Sequence, residues 1–439
     1  MKTSKQHHVR DYGAYPGASG IVNRTAIQLA INAALAGVGG STTVVFDSGT
    51  YAIDQAITIP LNNSTISIVG QGSSGSKATT ISVAASQNGF EFTSSAVYGG
   101  GGVPNNLSGI VVRDIGFTTS TGVTALKFGT SGYYIDSYGK HVIENVVTTG
   151  FSLACDILNT RHLSMKDVAF RNVDLTNAQS MRIRAEAGSF SGDFEFSNCE
   201  FSTKQDASTA SIPVLIENAT TTGIIAGIKF TDCNVYYGGF AGIYIHNTSA
   251  STGYIADIFF NQCQFDFPSA VSSSVGIYLH NTGAAGTIKN IQIVANYFTS
   301  YYVAIAAFNS DTGSMFSLNV SNNYINNAVS NGVAFSNIKN FVINGNTFYH
   351  CGNSGVTEDY VVLVNSNSSN LSRTFTITNN THIASGSTSN VKYFAGVTAY
   401  NNDFVIANNV CHVVAGGSIV GDGSGGSANK SIVNNLVFN

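Results

Sequence analysis

The residues best suited to proton transfer lie in a repeated octet. Residues 241–248 read AGIYIHNT and residues 275–282 read VGIYLHNT, so the same pattern of Tyr and His recurs after 34 residues. Imidazole titrates near neutral pH, and imidazole and phenol groups can both transfer protons in a transition state. The octets therefore supply four candidates for acid–base chemistry, which are Tyr244, His246, Tyr278 and His280.

Glycoside hydrolysis is one reaction that could use these groups. It requires two carboxyl groups, one to protonate the leaving oxygen and one to act as a base or nucleophile. Asp156 and Glu217 are the carboxyl candidates, and Arg184 would hold one of the carboxylates ionised. His246 and His280 remain candidates for proton transfer in either direction.

β-Elimination on a uronic acid polymer is the alternative reaction. His246 or Tyr244 would abstract the proton next to the substrate carboxylate, and Arg184 would neutralise that carboxylate. His280 or Tyr278 would protonate the leaving oxygen. A third possibility involves no chemistry, because Tyr and His rings in duplicated coils can simply stack on one another. No metal or other cofactor is expected, since no third ligand accompanies the two histidines.

The elements that must position these residues repeat along the chain. Alternating apolar and polar residues followed by Asn, Asp or Gly recur from residue 111 onward, at spacings of 22 to 34 residues. Alternation with a period of two indicates a strand, and the residues that follow indicate a turn. Stacked repeats of this length predict a parallel β-helix, in which each coil adds strands about 4.8 Å above the last.

One position of the repeat keeps the same residue type over several coils. It holds Cys199, Cys233 and Cys263, and then a run of asparagines at Asn296, Asn323, Asn346, Asn380, Asn409 and Asn435. Stacked Asn side chains can hydrogen-bond along the axis as a ladder. The cysteines are expected to form a buried stack of thiols, with a disulfide between neighbouring coils as the alternative.

The octets belong to a second set of strands that also end at Asn. Because successive side chains alternate, the Ile and Leu residues of the octets should point inward and the Tyr and His residues outward. In the same outward set, Asp156 and Glu217 would lie two coils apart, or about 10 Å. The substrate-binding candidates on this face are Arg182, Arg184, Tyr244, Tyr278 and Phe308, and further carboxylates in predicted loops are Glu186, Asp206, Glu358 and Asp359.

The N-terminal segment, residues 1–40, differs from the predicted β-helix domain at 41–439. Residues 25–36 read TAIQLAINAALA and predict a short amphipathic helix, capped by Asn23 or Thr25. A solenoid needs its open end covered, and this helix is the expected cap.

Composition narrows the classes of function. Only 10% of the residues are charged, the net charge is −4 and the basic residues are scattered, which argues against a nucleic-acid partner. The sequence contains no stretch of 18 or more apolar residues, so no membrane span is expected. The first residues, MKTSKQHHVRDY, include no apolar region, so we expect no signal peptide.

Residues 10–72 resemble the opening of the pectate lyase-like superfamily, especially bacteriophage tailspikes and related polysaccharide-degrading proteins. The matching features are DYGA, the TAIQLAINAA helix, and VVFDSGTYAI followed by ISIVGQG. Asn23 and Asp47 depart from the family, which usually has Asp and Pro there. The resemblance implies a right-handed β-helix, commonly a homotrimer that acts on a surface polysaccharide, and it supplies no catalytic residues.

These observations predict an all-β protein, a right-handed parallel β-helix of roughly a dozen coils with a short N-terminal capping helix. The expected function is binding and degradation of a host surface polysaccharide by a tailspike-like homotrimer, in a virion tail or outside the cell, with hydrolysis favoured over elimination. The alternative is a non-catalytic appendage that binds glycan or is structural.

Overall fold

A computed structural model describes most of the chain, in a series of segments. The described residues are 5–36, 42–61, 65–95, 109–135, 140–172, 175–204, 211–236, 238–248, 252–267, 273–310, 313–352, 359–367, 372–384, 391–398, 401–413, 417–422 and 429–438. They form two compact units, unit 1 (Met1–Lys204) and unit 2 (Gln205–Asn439). The chain makes about 11 turns of a parallel β-solenoid, which confirms the predicted all-β fold.

Unit 1 contains the helical elements and the first coils. A 3-10 helix spans Val9–Tyr12 and the helix α1 spans Gly20–Leu35. The strands are β1 (Lys5–His8), β2 (Thr42–Val45), β3 (Gly49–Ile53), β4 (Ile57–Pro60), β5 (Ile66–Gly72), β6 (Thr79–Val83), β7 (Phe90–Thr93), β8 (Ile110–Phe128), β9 (His141–Leu158), β10 (Leu163–Lys166), β11 (Ala169–Asn172), β12 (Gln179–Arg184), β13 (Phe190–Ser197) and β14 (Glu200–Thr203).

Unit 2 repeats a coil of three strands. Its first sheet contains β15 (Ile212–Asn218), β18 (Ala241–Asn247), β21 (Val275–Asn281), β24 (Val303–Asn309), β27 (Asn331–Ser336), β30 (Asp359–Asn365), β33 (Val391–Val397) and β36 (Ser418–Asp422). Its second sheet contains β16 (Ile224–Thr231), β19 (Tyr254–Asn261), β22 (Thr287–Val294), β25 (Ser314–Ser321), β28 (Lys339–Asn344), β31 (Arg373–Thr378), β34 (Asn402–Ala407) and β37 (Lys430–Val433). Its third sheet contains β17 (Asn234–Tyr236), β20 (Gln264–Asp266), β23 (Tyr297–Thr299), β26 (Tyr324–Asn326), β29 (Thr347–Tyr349), β32 (Thr381–Ile383), β35 (Val410–His412) and β38 (Leu436–Phe438). Within each sheet, every strand pairs in parallel with the equivalent strand of the next coil.

Side-chain alternation in the octets follows the prediction. Ile243, Ile245, Ile277 and Leu279 are 0% exposed in the core, whereas the Tyr and His residues between them are half-buried on the outside. The register places Tyr244 beside Tyr278 and His246 beside His280. The strand period therefore sends the apolar residues inward and the proton-transfer candidates to the outer surface.

The predicted asparagine ladder is present in unit 2. In each step, the backbone N–H and the side-chain amide of one Asn both donate to Oδ1 of the next, at 2.9–3.0 Å for Asn296 to Asn323 and for Asn346 to Asn380. The side-chain amide also reaches back to a carbonyl of the preceding coil, at 2.9 Å from Asn346 to Val320. The same pattern continues from Asn380 to Asn409 and from Asn409 to Asn435.

The turn residue before each ladder position explains the Asn, Asp and Gly signal of the repeat. At Asn322, Gly345 and Asn379 the backbone φ lies between +57° and +69°. Gly, Asn and Asp tolerate this left-handed conformation better than other residues do. Ala295 adopts the same φ of +57° without that advantage, so the ladder geometry overrides local preference there.

All six cysteines are buried free thiols, as predicted for the three in the column. In unit 2, a hydrogen bond with Cys233 and then burial raise the pKa of Cys263. These thiols therefore pack as small core side chains.

The N-terminal helix begins earlier than the sequence pattern predicts. It spans Gly20–Leu35 with Ser19 at the N-cap position, so the expected start near Thr25 and the expected cap at Asn23 are wrong. Asn23 is buried inside the helix, where its Oδ1 accepts the Tyr15 N–H at 3.0 Å and its amide donates to the Ala18 carbonyl at 3.4 Å. Asn23 thus holds the loop that enters the helix, a role that sequence alone does not distinguish from capping. A single N-terminal helix fits the predicted cap.

In the described part of the chain, no helix is long and apolar enough to cross a membrane.

Candidate functional site

The outer surface of the first sheet in unit 2 carries most of the sequence-predicted site residues. We call this surface the Tyr–His face and define it by Glu217, Tyr244, His246, Tyr278, His280 and Phe308. The strand register aligns Glu217, His246, His280 and Phe308 in one row of neighbouring coils. Tyr244 and Tyr278 form the adjacent row. The structure therefore brings six of the candidates together on one face.

Four rings at the centre of this face form a stacked block. The Tyr244 and Tyr278 rings lie 5.3 Å apart at 16°, and the His246 and His280 rings lie 5.2 Å apart at 15°. Within each strand, Tyr and His also stack, with centroids 4.9 Å apart for Tyr244 and His246. Contacts between rings at these distances are favourable and hold the side chains in place.

Hydrogen bonds join the two coils of the block. The Tyr244 Oη lies 2.8 Å from Nδ1 of His280. His246 lies between two polar groups, with Nε2 at 3.4 Å from Thr282 Oγ1 and Nδ1 at 3.8 Å from Glu217 Oε1. The Glu217 contact becomes an ion pair when His246 is protonated. The face therefore holds a carboxyl group, two imidazoles and a phenol within mutual reach.

Burial sets the protonation states at the centre of the face. Desolvation and then the nearby His246 lower the pKa of His280 from its usual 6.5 to about 4. Desolvation, then Tyr278 and then the charge of Glu217 raise the pKa of Tyr244. Near neutral pH, His280 is therefore neutral and Tyr244 keeps its phenolic proton.

The Tyr–His face opens into a pocket of about 350 Å³ at its C-terminal side. The rows explain why it forms, because Tyr278 is followed in the next coils by Ala306, Ala334 and Leu363. Two alanines in succession remove the bulk that the tyrosines supply. The walls come from larger side chains, which are Phe240, Tyr278, Tyr302, Phe308 and Leu363. The volume lies within the range of about 300–1,000 Å³ that is usual for small-molecule sites.

The remaining site candidates lie in unit 1. In the register of β9 and β12, Arg182 pairs with Asp156 and Arg184 pairs with Leu158. Arg182 donates to both carboxylate oxygens of Asp156 at 3.1 and 3.0 Å, and Nη2 of Arg184 lies 2.9 Å from Oδ2. The Asp156 side chain is 8% exposed. The two guanidinium groups therefore hold this carboxylate in one position.

The loop carboxylates have mixed outcomes. Glu186 does lie in a loop, where it accepts the Gly132 N–H at 2.8 Å and the Asn159 amide at 2.9 Å. Asp206 and Glu358 lie outside the described residues. Asp359 is the first residue of strand β30, so its assignment to a loop is wrong. It pairs within the sheet as the end of that strand.

Sequence reasoning missed the pocket, although it named two of the wall residues, Tyr278 and Phe308. Ala306 follows Tyr278 in the same row, but one small residue carries no signal by itself. The usable signal would have been two alanines on consecutive coils directly after two tyrosines. Phe240 lies before its strand, so strand alternation does not place it. In the structure its ring packs edge-on against Tyr244 and Tyr278, at 5.3 and 5.5 Å.

Comparison with known proteins shows the fold. No protein-family model matches the chain, and no curated protein matches it. Among solved structures, tailspike protein 3 of bacteriophage CBA120 is 12% identical with a TM-score of 0.52, and the match covers 98% of this chain and 61% of the tailspike. A tailspike variant of E. coli bacteriophage HK620 is 11% identical with a TM-score of 0.51, covering 97% of this chain and 78% of that one.

A third neighbour is the Streptococcus pneumoniae surface protein and adhesin PfbA. It is 14% identical with a TM-score of 0.50, and the match covers 98% of this chain and 99% of the adhesin. The neighbours are right-handed β-helix proteins, which confirms the predicted fold and its resemblance to tailspikes. At these identities the comparison establishes the fold alone.

Proposed function

We propose that this protein binds a polysaccharide along the Tyr–His face of unit 2 and degrades it. The observation that carries the proposal is the continuity between the stacked aromatic rows and the pocket of about 350 Å³. An extended sugar chain laid along the coils would contact aromatic edges first and the pocket at one end. Concave sites with aromatic walls and a few polar groups are typical of small-molecule and sugar binding.

Glycoside hydrolysis is the proposed reaction. Glu217 would protonate the leaving oxygen, as the acid that this reaction requires. The 3.8 Å between Glu217 and His246 supports a role for His246 in holding or exchanging the proton of Glu217. Asp156, the second carboxyl group predicted from the sequence, lies in unit 1, where two arginine side chains hold its carboxylate in place.

The alternative reaction is β-elimination. His246 would abstract the proton, and Tyr244, which keeps its phenolic proton near neutral pH, would protonate the leaving oxygen. Elimination leaves an unsaturated product that absorbs in the ultraviolet, whereas hydrolysis leaves none.

A binding function without catalysis is the second candidate. The 2.8 Å contact between Tyr244 and His280 favours it, because each group satisfies the other within the stacked block. Such a block would present a rigid surface to glycan without any proton transfer. The fold neighbours include both bacteriophage tailspikes and a bacterial surface adhesin by name. By analogy with the tailspikes, we also propose that this protein forms a homotrimer and that it lies in a virion tail or outside the cell. Its proposed partner is a host surface polysaccharide.

The test is release of reducing ends from host capsule or O-antigen, followed with ultraviolet absorbance of the products. New reducing ends without absorbance are expected for hydrolysis, and an absorbance rise near 235 nm would select elimination. Glu217→Gln should abolish release while binding is retained, and Asp257→Asn on the second sheet is the matched control. Activity that survives in Glu217→Gln would refute the assignment of Glu217. If the protein binds glycans but releases reducing ends from none of them, the result would support the non-catalytic function.

A further inference from the structure

The pocket beside Tyr278 differs from the rest of the Tyr–His face in its chemistry. The described side chains that line it include none that is charged near neutral pH. Burial raises the pKa of the one tyrosine it shares with the face, Tyr278, so that ring also stays neutral. A carboxylate or an amine in this pocket would lose water without gaining a charged partner. The pocket therefore selects for a neutral group.

The floor and walls are largely apolar. The floor consists of the methyl groups of Ala306 and Ala334, which lie side by side in neighbouring coils. Phe240 and Phe308 add aromatic carbon to the walls. Hydroxyl groups of a sugar pressed against such a surface would lose hydrogen bonds to water that nothing replaces.

Polar groups are confined to a few side chains of the lining. They are Ser273, Tyr278, Tyr302, Ser336 and Asn365, whose hydroxyl and amide groups can donate and accept hydrogen bonds. A sugar ring can therefore keep some hydroxyl contacts while one apolar substituent faces the alanines. At about 350 Å³, the space is large enough for a single sugar residue.

We propose that this pocket is the specificity subsite of the polysaccharide site and that it takes a neutral sugar bearing a methyl group. The methyl group can come from a 6-deoxyhexose or from an acetylated sugar, and its contact with Ala306 and Ala334 is the same in both. The inference rests on the proposed binding of polysaccharide at the Tyr–His face and deepens it by naming the substrate class. It also predicts that a uronic acid does not occupy this position.

Methyl glycosides of single sugars test the subsite without any polymer. Saturation-transfer NMR on the full chain would compare methyl α-L-rhamnoside, methyl N-acetyl-β-D-glucosaminide, methyl β-D-glucoside and methyl β-D-glucuronide. We expect the strongest saturation at the C6 methyl group of the deoxy sugar or at the acetyl methyl group. The stronger of these two signals shows which kind of sugar supplies the methyl group. The glucoside and glucuronide should give at least fivefold weaker transfer. Equal transfer to all four, or preference for the glucuronide, would overturn the proposal.

Two variants locate the binding. Ala334→Leu fills the floor and should reduce methyl saturation at least fivefold, whereas Thr376→Leu, an outward and half-buried position on β31 in the second sheet, should leave it unchanged. Unchanged saturation in a folded Ala334→Leu would overturn the subsite. If the polysaccharide binds and Ala334→Leu binds it equally well, the subsite is wrong and the proposed function stands. If no polysaccharide binds while the methyl sugars do, the proposed function is wrong and the pocket remains a sugar site.

Discussion

The Tyr244 phenol oxygen lies 2.8 Å from Nδ1 of His280, one coil further along the first sheet of unit 2. This contact joins the two octets, because each octet contributes one of the two residues. It sets a neutral imidazole against a protonated phenol in a partly desolvated position, since burial lowers the pKa of His280 to about 4 and raises that of Tyr244. The duplicated octet is thus a coupled unit rather than two independent strands.

The coupling of the two histidines can be tested by titration. His246 is the second cause of the lowered pKa of His280, after burial. His246→Gln should therefore raise the pKa of His280 above about 4 and towards 6.5, measured by NMR of the imidazole nitrogens. A pKa of His280 that does not move would show that burial alone sets it.

Loss of one ring from the face should weaken polysaccharide binding. Tyr278→Ala removes a ring that stacks on Tyr244 and also forms a wall of the pocket. We expect roughly a fivefold loss of affinity, which corresponds to the free energy of about 1 kcal/mol that one aromatic contact contributes. Tyr297→Ala is the matched control, because Tyr297 is also stacked and outward but lies on the third sheet. Equal losses in the two variants, measured by affinity electrophoresis, would argue against the Tyr–His face.

The asparagine ladder should account for a measurable part of the stability of unit 2. Asn346→Ala removes the acceptor of the Asn323 backbone N–H and the donor to the Val320 carbonyl, both buried. Leaving these groups unpaired should lower the free energy of unfolding by about 3 kcal/mol. Asn319→Ala, at an outward position of β25, should cost about 0.5 kcal/mol or less. Denaturant unfolding of the two variants should show this difference, and similar midpoints would contradict the role given to the ladder.

Acid should destabilise unit 1 through a buried histidine. His141 is 0% exposed, and neither ring nitrogen has a hydrogen-bond partner among the described residues. Burial and then His162 lower its pKa from 6.5 to about 4. Between those pH values the unfolded chain binds a proton that the folded chain does not, so stability is complete above pH 6.5 and falls as the pH drops towards 4. The loss attributable to this group reaches roughly 3 kcal/mol.

Thermal unfolding at several pH values measures this dependence. His141→Leu, which keeps the site apolar, should flatten the decline between pH 6.5 and 4. His8→Gln, at a half-buried position of β1, is the control and should keep the wild-type slope. A decline that is as steep in His141→Leu as in the wild type would mean that other groups cause it.

The sequence is sufficient to predict the features that repeat in every coil. Asn296 to Asn435 recur at one position, so their stacking follows from the coil spacing alone, and the same holds for the outward direction of Tyr244 and His280. Period-two alternation is a property of the backbone and does not depend on which loops surround it.

The sequence does not predict features that depend on how separate segments of the chain come together in space. The pocket needs Ala306 and Ala334 in adjacent coils and Phe240 from a turn, and no local pattern joins them. The start of α1 was misplaced because Asn23 resembles a cap, although its side chain hydrogen-bonds to Tyr15 and Ala18. The sequence does not predict the burial of His141, because a polar residue in a strand usually faces the surface.

A crystal structure of the protein soaked with an oligosaccharide of its host polysaccharide tests the central claim most directly. The account predicts sugar density along β18, β21 and β24, with one residue in the pocket and its methyl group against Ala306 and Ala334. Sugar bound instead on the second or third sheet of unit 2, with the Tyr–His face bare, would contradict it.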